Sequence, residues 1–368
     1  MEIAFDHSDA GDSSAPIFSV TPVSAWWIFL TLIGRLRLPI LATCLGAVIL
    51  AIFCFAATIS PALMLRYLTT RLLYMVPVIW LVVSVVFLLI HLVPGDPIQQ
   101  MLGENAASTD IQAARHAYGL DVPLPKQYVN YWKGVLRGDL GRSFRFDQPV
   151  RGVILQRYPW TLELTIASMI VALLISIPAG VRSARRRNRW DDRVLSFVSL
   201  WGLSFPNFAL GPILILFFAI RLGLLPVSGS GTFAHLILPA ITMGGALAAI
   251  LTRMVRTAML EELGQDYIRT ARAKGLSENV VVYKHALRNA LVPVLTVVGL
   301  QFGALLAGAI VTETIFSWPG IGRLTITAIS SRDYYLVQGC ILMIGLTYVV
   351  VNFMTDLLYS FANPRIRQ

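Results

Sequence analysis

The side chains able to do covalent or redox chemistry are few in this 368-residue chain and poorly placed for it. Gly202-Leu203-Ser204-Phe205 has the GxSx form of an intramembrane serine nucleophile. Such a serine needs a histidine base at matching depth. His91 and His235 fall near the ends of apolar runs, and His116 and His285 lie in polar stretches. A small-residue packing site beside Pro206 is the better account of the tetrapeptide. Cys44, Cys54 and Cys340 sit in apolar stretches with no CxxC and no clustered histidine, which argues against disulfide or metal roles. A phosphate-cradling loop requires Gly-Lys followed by Ser or Thr. Here Lys126, Lys133, Lys274 and Lys284 follow Pro125, Trp132, Ala273 and Tyr283, so no nucleotide is held through that motif. Ion-coupled carriers usually bury acids mid-membrane. Glu163 and Asp356 stand near the ends of apolar runs and Glu313 just past one. That weighs against a proton or sodium carrier, although backbone sites also bind ions. Nothing resembles a selectivity filter or a ring of like charge.

What remains is mechanical. Residues 253–289 form the longest polar segment of the apolar C-terminal half, flanked by runs of membrane-spanning length. One Arg at the bilayer centre costs roughly 2.5 kcal/mol or more, so this stretch lies in water between two membrane anchors. From Met254 to Lys274 only Gly264 interrupts helical character. Gly275 then offers a C-terminal cap in the left-handed conformation. Ser277 follows as an N-cap for a second helix, with Glu278 favourably placed in its first turn. The expected shape is helix, tight corner, helix: something a soluble partner could grip.

The elements that position this corner are spans. The chain is 56% hydrophobic and only 14% charged, too apolar for an ordinary soluble domain. Its net charge of +10 rests on 26 Arg and four Lys. The arginines fall in loops between apolar runs, as topology signals do, so a nucleic-acid reading fails. Runs at 72–93, 160–181, 194–220, 290–312 and 336–355 read as spans. The third is long and carries Pro206, Gly211 and Pro212, which predicts a kink or break. The run at 233–252 is weakened by Pro239 and the Gly244-Gly245 pair. The loop at 94–159 holds Tyr118, Tyr128, Tyr131, Trp132, Phe144 and Phe146 among mixed charges, with a short amphipathic helix predicted over 126–136. Capping the bundle and docking a soluble partner are both open to it.

Short loops on the side of 253–289 carry seventeen Arg and Lys, against Arg221, Arg323 and Arg332 on the other. That side is therefore expected to be cytoplasmic. Residues 1–24 are polar and mildly acidic, and Trp26 and Trp27 suit a membrane interface. A further apolar run covers 38–59. It is either an extra N-terminal span or sequence upstream of a true start at Met64; as a span it places Arg35 and Arg37 outside, a mild violation of the charge rule.

From about Met64 to Arg367 the chain resembles the integral permease subunit of a bacterial ABC importer. The branch is the dipeptide/oligopeptide/nickel one, of the dipeptide permease B type. The motifs are Arg71-Leu72-Leu73, His91-Leu92-Val93-Pro94-Gly95-Asp96-Pro97, Asp147-Gln148-Pro149-Val150, Pro159-Trp160-Thr161-Leu162-Glu163-Leu164-Thr165 and Ser204-Phe205-Pro206-Asn207-Phe208. They continue with Asp266-Tyr267-Ile268-Arg269-Thr270-Ala271-Arg272-Ala273-Lys274-Gly275-Leu276 and His285-Ala286-Leu287-Arg288-Asn289-Ala290. Glu313-Thr314-Ile315-Phe316-Ser317-Trp318-Pro319-Gly320, Arg332-Asp333-Tyr334 and Asn363-Pro364-Arg365-Ile366-Arg367 complete them.

The resemblance implies an all-α polytopic membrane protein of the bacterial cytoplasmic membrane, with a six-span type I importer core and a cytoplasmic C-terminus. The extra N-terminal helix and the large periplasmic loop after the first core span would be added to that core. It divides the chain into an extension at 1–63, a first core span at 64–93, an external region at 94–159, and a remainder at 160–368 with five spans and the coupling loop at 253–289. The family pattern in that loop is Glu-Ala-Ala, three residues, then Gly. This chain has Arg269-Thr270-Ala271, three residues, then Gly275, so only Ala271 and Gly275 carry over. Ala271, Arg272, Lys274, Gly275 and Leu276 are the implied ATPase-coupling residues; Pro206, Asn207, Gly299, Gln301 and Gly303 are candidates to line the path. The implied partners are a second, homologous permease, two ATP-binding cassette subunits, a periplasmic or lipid-anchored substrate-binding protein, and membrane lipid. No cofactor is expected, since ATP belongs to the partner subunits. Di- and oligopeptides lead as substrates, with glutathione or nickel behind. A stand-alone channel or secondary carrier is the competing reading.

Overall fold

The computed structural model describes residues 61–92, 98, 102, 107–117 and 121–362. The polar tail, Trp26 and Trp27, Cys44 and Cys54, and the run at 38–59 lie outside the described residues, as do 93–97, Tyr118 and 363–367. Among the described residues the architecture is helical, with one isolated antiparallel bridge between Arg142 and Pro149.

Among the described residues five helices are long and apolar enough to cross a membrane, or six when a bent pair is counted as one span. Helix α1 (Pro61–Leu92) contains the apolar stretch Thr69–Leu88, which begins three residues before the span expected at 72–93 and ends within it. Next come α2 (Ser108–Ala117) and α3 (Leu124–Arg137), the latter in place of the helix expected over 126–136. Helix α3 lays Tyr131, Trp132 and Val135 against the cluster of Val83, Val86 and Leu342, and Tyr128 and Ser84 share a 2.7 Å hydroxyl contact. This part of the loop between the first two spans therefore packs on the bundle.

Helix α4 (Val150–Arg185) begins ten residues before the expected span start. Pro149, at φ −58°, preorganises the helix entry, so Pro159 falls inside the helix rather than ending the loop. After a short loop come α5 (Trp190–Ser204) and α6 (Asn207–Leu214), the latter continued by a π-helical turn (Ile215–Arg221). The two bend by 108° at the predicted break. Phe205 is extended, at φ −86° and ψ 117°, because a residue before proline is pushed out of the α region.

Helix α7 (Phe233–Leu263) is continuous and the most buried span, despite Pro239 and the glycine pair. Gly244 is an approach point rather than a break: a methyl there would sit 2.5 Å from the Ser168 carbonyl oxygen of α4. Its most extensive packing is against α4. Then come α8 (Asp266–Ala273), a π-helical turn (Val280–Ala286) and α9 (Leu287–Ile315). Helix α10 (Ile321–Ser330), absent from the sequence reading, precedes the last helix, α11 (Tyr334–Ala362). The main core joins α4, α7, the coupling segment and α9 through residues such as Leu164, Leu251, Val255, Ile268, Val282 and Ala290.

Candidate functional site

The polar stretch at 253–289 folds as three helical pieces around two corners. Helix α7 ends at Gly264, and Gln265 leads into α8. Ile268 and Ala271 turn inward from α8 and join the core with Val281 and Val282; Arg272, Lys274, Gly275 and Leu276 are exposed. Ala271 thus supplies the small inward contact, while the other four coupling candidates face outward.

The second corner is a Schellman motif. The Gly275 N–H donates to the Arg272 carbonyl (2.9 Å) and the Leu276 N–H to the Ala271 carbonyl (3.4 Å). Gly275 has φ +76°, and a Cβ there would meet nothing within 4 Å. Backbone conformation, and not space, requires glycine at this point. Arg272 spans the corner, donating through Nε and Nη2 to the Glu278 carboxylate at 3.1 and 2.8 Å. It is engaged within the chain as a brace, which leaves Lys274 as the exposed cation at the tip. The Arg272 guanidinium holds the Glu278 carboxyl below its ordinary value. Glu278 resumes the helix after Ser277, whose carbonyl accepts the Val281 N–H at 3.1 Å.

The base of the corner is tied as well. The Tyr267 hydroxyl donates to the Glu262 carboxylate of α7 and accepts from Asn289 Nδ2 of α9 at 3.0 Å. Partial burial and the Glu262 carboxylate raise the Tyr267 phenol above its ordinary value. One side chain of α8 therefore joins both flanking helices.

A second support fixes α7 to the hinge between α4 and α5. Asp192 is 6% exposed and accepts from Arg256 Nε at 2.7 Å and Nη2 at 2.8 Å. Its remaining capacity takes the Ser183 hydroxyl and, at 2.9 Å, the Asn188 N–H. The sequence reading missed this node. The available signal was an Asp191-Asp192 pair opening an apolar helix, where an acid facing inward needs a cation.

At the opposite end two motifs meet. Thr161 donates to Glu313 (2.6 Å), whose other oxygen accepts the Arg323 N–H (3.0 Å) at the start of α10. Thr161 in turn accepts the Ile321 N–H (2.8 Å). Trp318 Nε1 donates to the Trp160 carbonyl (2.9 Å), and the two indoles meet edge to face. A buried carboxylate here receives the free amides of a helix N-terminus. Asp333 does the same for α11, accepting the Leu336 N–H, while its other oxygen holds the Ser143 hydroxyl and the Arg145 N–H of the loop before α4.

The pathway candidates do not gather at one place. Pro206 and Asn207 lie at the α5–α6 break, where Trp201, Ser204, Phe205, Pro206 and Ala209 line a cleft of about 300 Å³. Gly299 and Gly303, one turn apart, meet Thr355 and Tyr348 of α11. Gln301 is half-buried and falls on the opposite side of α9 by helical register.

With this geometry in place, comparison with known proteins is informative. Residues 176–368 match the family described as "Binding-protein-dependent transport system inner membrane component", and residues 64–165 match its N-terminal counterpart. The chain belongs to this family of transport-system permeases. Over 304 residues it is 45% identical to the glutathione transport system permease protein GsiC of Escherichia coli O6:H1, covering 83% of this chain and 99% of the relative. The GsiC proteins of E. coli K12 and Pectobacterium atrosepticum are each 44% identical over the same shares. Among solved structures, the inward-facing MetNI methionine ABC transporter aligns with a TM-score of 0.48 and 19% identity, over 57% of this chain and 96% of that one. The expected dipeptide/oligopeptide/nickel permease branch is borne out by these matches. Membership makes the chain a multi-pass inner-membrane transport component that works with ATPase and substrate-binding partners.

Proposed function

We propose that this permease translocates short peptides, glutathione among them, by alternating access, powered through the corner at 253–289 by two separate ATPase subunits. The observation that carries this reading is the braced corner itself: an exposed, glycine-set turn tied at its base to α7 and α9. Such a turn transmits force because its two flanking spans cannot move independently of it. ATP-driven closure of the ATPases would draw α8, and with it α7 and α9, toward the outward-open arrangement. A binding protein would then release its ligand into the cavity shared with a second, homologous permease. The naming of curated relatives for glutathione transport favours a small peptide over nickel. In this reading the corner and the C-terminus face the cytoplasm. Ala271, Arg272, Lys274, Gly275 and Leu276 form the coupling element, with Arg272 acting through Glu278. Pro206, Asn207, Gly299, Gln301 and Gly303 stay the pathway candidates, the two glycines acting by setting the α9–α11 distance. The test is uptake of labelled glutathione and dipeptides into proteoliposomes, with and without ATPase subunits and binding protein. ATP-dependent uptake only in the full assembly supports the reading; uptake by this chain alone would establish the channel or carrier reading instead.

A further inference from the structure

We propose that the loop between α4 and α5, together with the first turn of α5, is a headgroup site for an anionic phospholipid. Six arginines fall within residues 182–193. The two local acids are already engaged: Asp191 pairs with Arg182 (3.5 Å) and Arg186 (2.5 Å), and Asp192 with Arg256. No ion pair within the described residues takes Arg187, Arg189 or Arg193, and all three are exposed. Of the six, Arg182 and Arg186 are paired with Asp191 and Arg185 acts on the Glu278 carboxyl, which leaves a surplus of three cations on one short segment.

The position of these cations identifies their partner. Trp190 stands among them, 76% exposed. Below it on α5, Val194, Phe197, Val198 and Trp201 follow at offsets of four, seven, eight and eleven residues, and all are exposed. Those offsets form one helical face. A face this apolar belongs in lipid, and the amphipathic indole at its head belongs at headgroup level. Arg189 is the extended residue that leads into Trp190, and Arg193 stands in the first turn at the edge of that face, so both guanidinium groups sit at the level of the indole, where lipid phosphates are. A soluble acidic partner would account for the charge but not for Trp190 or the strip beneath it. Each such arginine adds about a five-fold gain in affinity for an anionic surface. This inference does not depend on the proposed substrate or coupling mechanism.

The test is binding of labelled phosphatidylglycerol and labelled phosphatidylcholine to the full-length chain in neutral detergent. The wild-type chain should prefer phosphatidylglycerol, and the preference should fall as salt rises. R187Q/R189Q/R193Q should lower phosphatidylglycerol affinity about a hundred-fold with phosphatidylcholine binding unchanged, while R187K/R189K/R193K should retain most of it. A salt-insensitive preference in the wild-type chain overturns the proposal even if the glutamine variant fails to fold. So does full retention in a folded glutamine variant. Displacement by millimolar inorganic phosphate would make this a soluble-phosphate site, and displacement by ATPase subunits would make it a protein-docking surface; either result refutes the lipid assignment.

Discussion

Replacing Gly275 tests the coupling corner most sharply, because the structure separates conformation from space at that residue. With φ at +76° and no atom within 4 Å of an added Cβ, alanine meets no clash. Its penalty is the left-handed backbone alone, about 1–2 kcal/mol. That shifts the corner toward open forms by about 5- to 30-fold. Asparagine tolerates this conformation better and should lose much less. Proline is held near φ −65° and lacks the N–H that donates to Arg272. It also pushes Lys274 away from its ψ of 3° toward extended values, so the whole corner must rebuild. ATP-driven uptake in proteoliposomes, normalised to inserted chain, should therefore rank glycine, asparagine, alanine, proline, with proline inactive but inserted normally. If alanine equals asparagine, the conformational reasoning is wrong. If the proline variant transports at the wild-type rate, the corner does not couple.

The other supports carry their own tests. Asp192→Asn or Arg256→Ala should cost about 3–5 kcal/mol, by stranding a buried charge or its donors, read as a drop in thermal stability in detergent. Thr161→Val should cost about 1–3 kcal/mol by leaving Glu313 and the Ile321 N–H short of a partner, with proteolysis increasing around α10. Gly303→Leu should separate α9 from α11 at Tyr348, and cysteine cross-linking between those helices should report the lost approach. For Glu278 the sign follows from Arg272 depressing the folded-state value: the brace is fully present above the unfolded carboxyl value near 4.3 and is lost as pH falls through the lower, folded one. Uptake between pH 5 and 8 should thus show no titration from this pair. Glu278→Gln should remove less than about 1 kcal/mol of corner stability, because the pair is exposed.

Much of this was legible in the sequence, for identifiable reasons. Pro206 forced an extended Phe205, and the break it predicts is present. Gly275 stood at the end of a polar helical pattern, and only such a cap fits there. The continuous α7 was harder to read because Pro239 and Gly244-Gly245 look like breakers when alone; opposite Ser168 the glycine becomes a contact. Helix α10 was hidden since its ten residues lack the length of a span, and its N-terminal amides are satisfied by Glu313 from another helix. Arg272 could be placed at the corner by spacing but not paired, for Glu278 lies across a turn whose closure depends on backbone geometry. The Asp192–Arg256 pair is separated by 64 residues, and no local periodicity relates the two.

Helix α7 runs unbroken for 31 residues, about 46 Å at 1.5 Å per residue, against a hydrocarbon layer of about 30 Å. It is about 16 Å longer than the layer it would cross, and its last residues lead into the corner. A tilt of about 5° about one end displaces the other by about 4 Å, about three-quarters of a helical turn. On the proposed reading, force applied at the corner would be carried along this one continuous helix into its packing against α4.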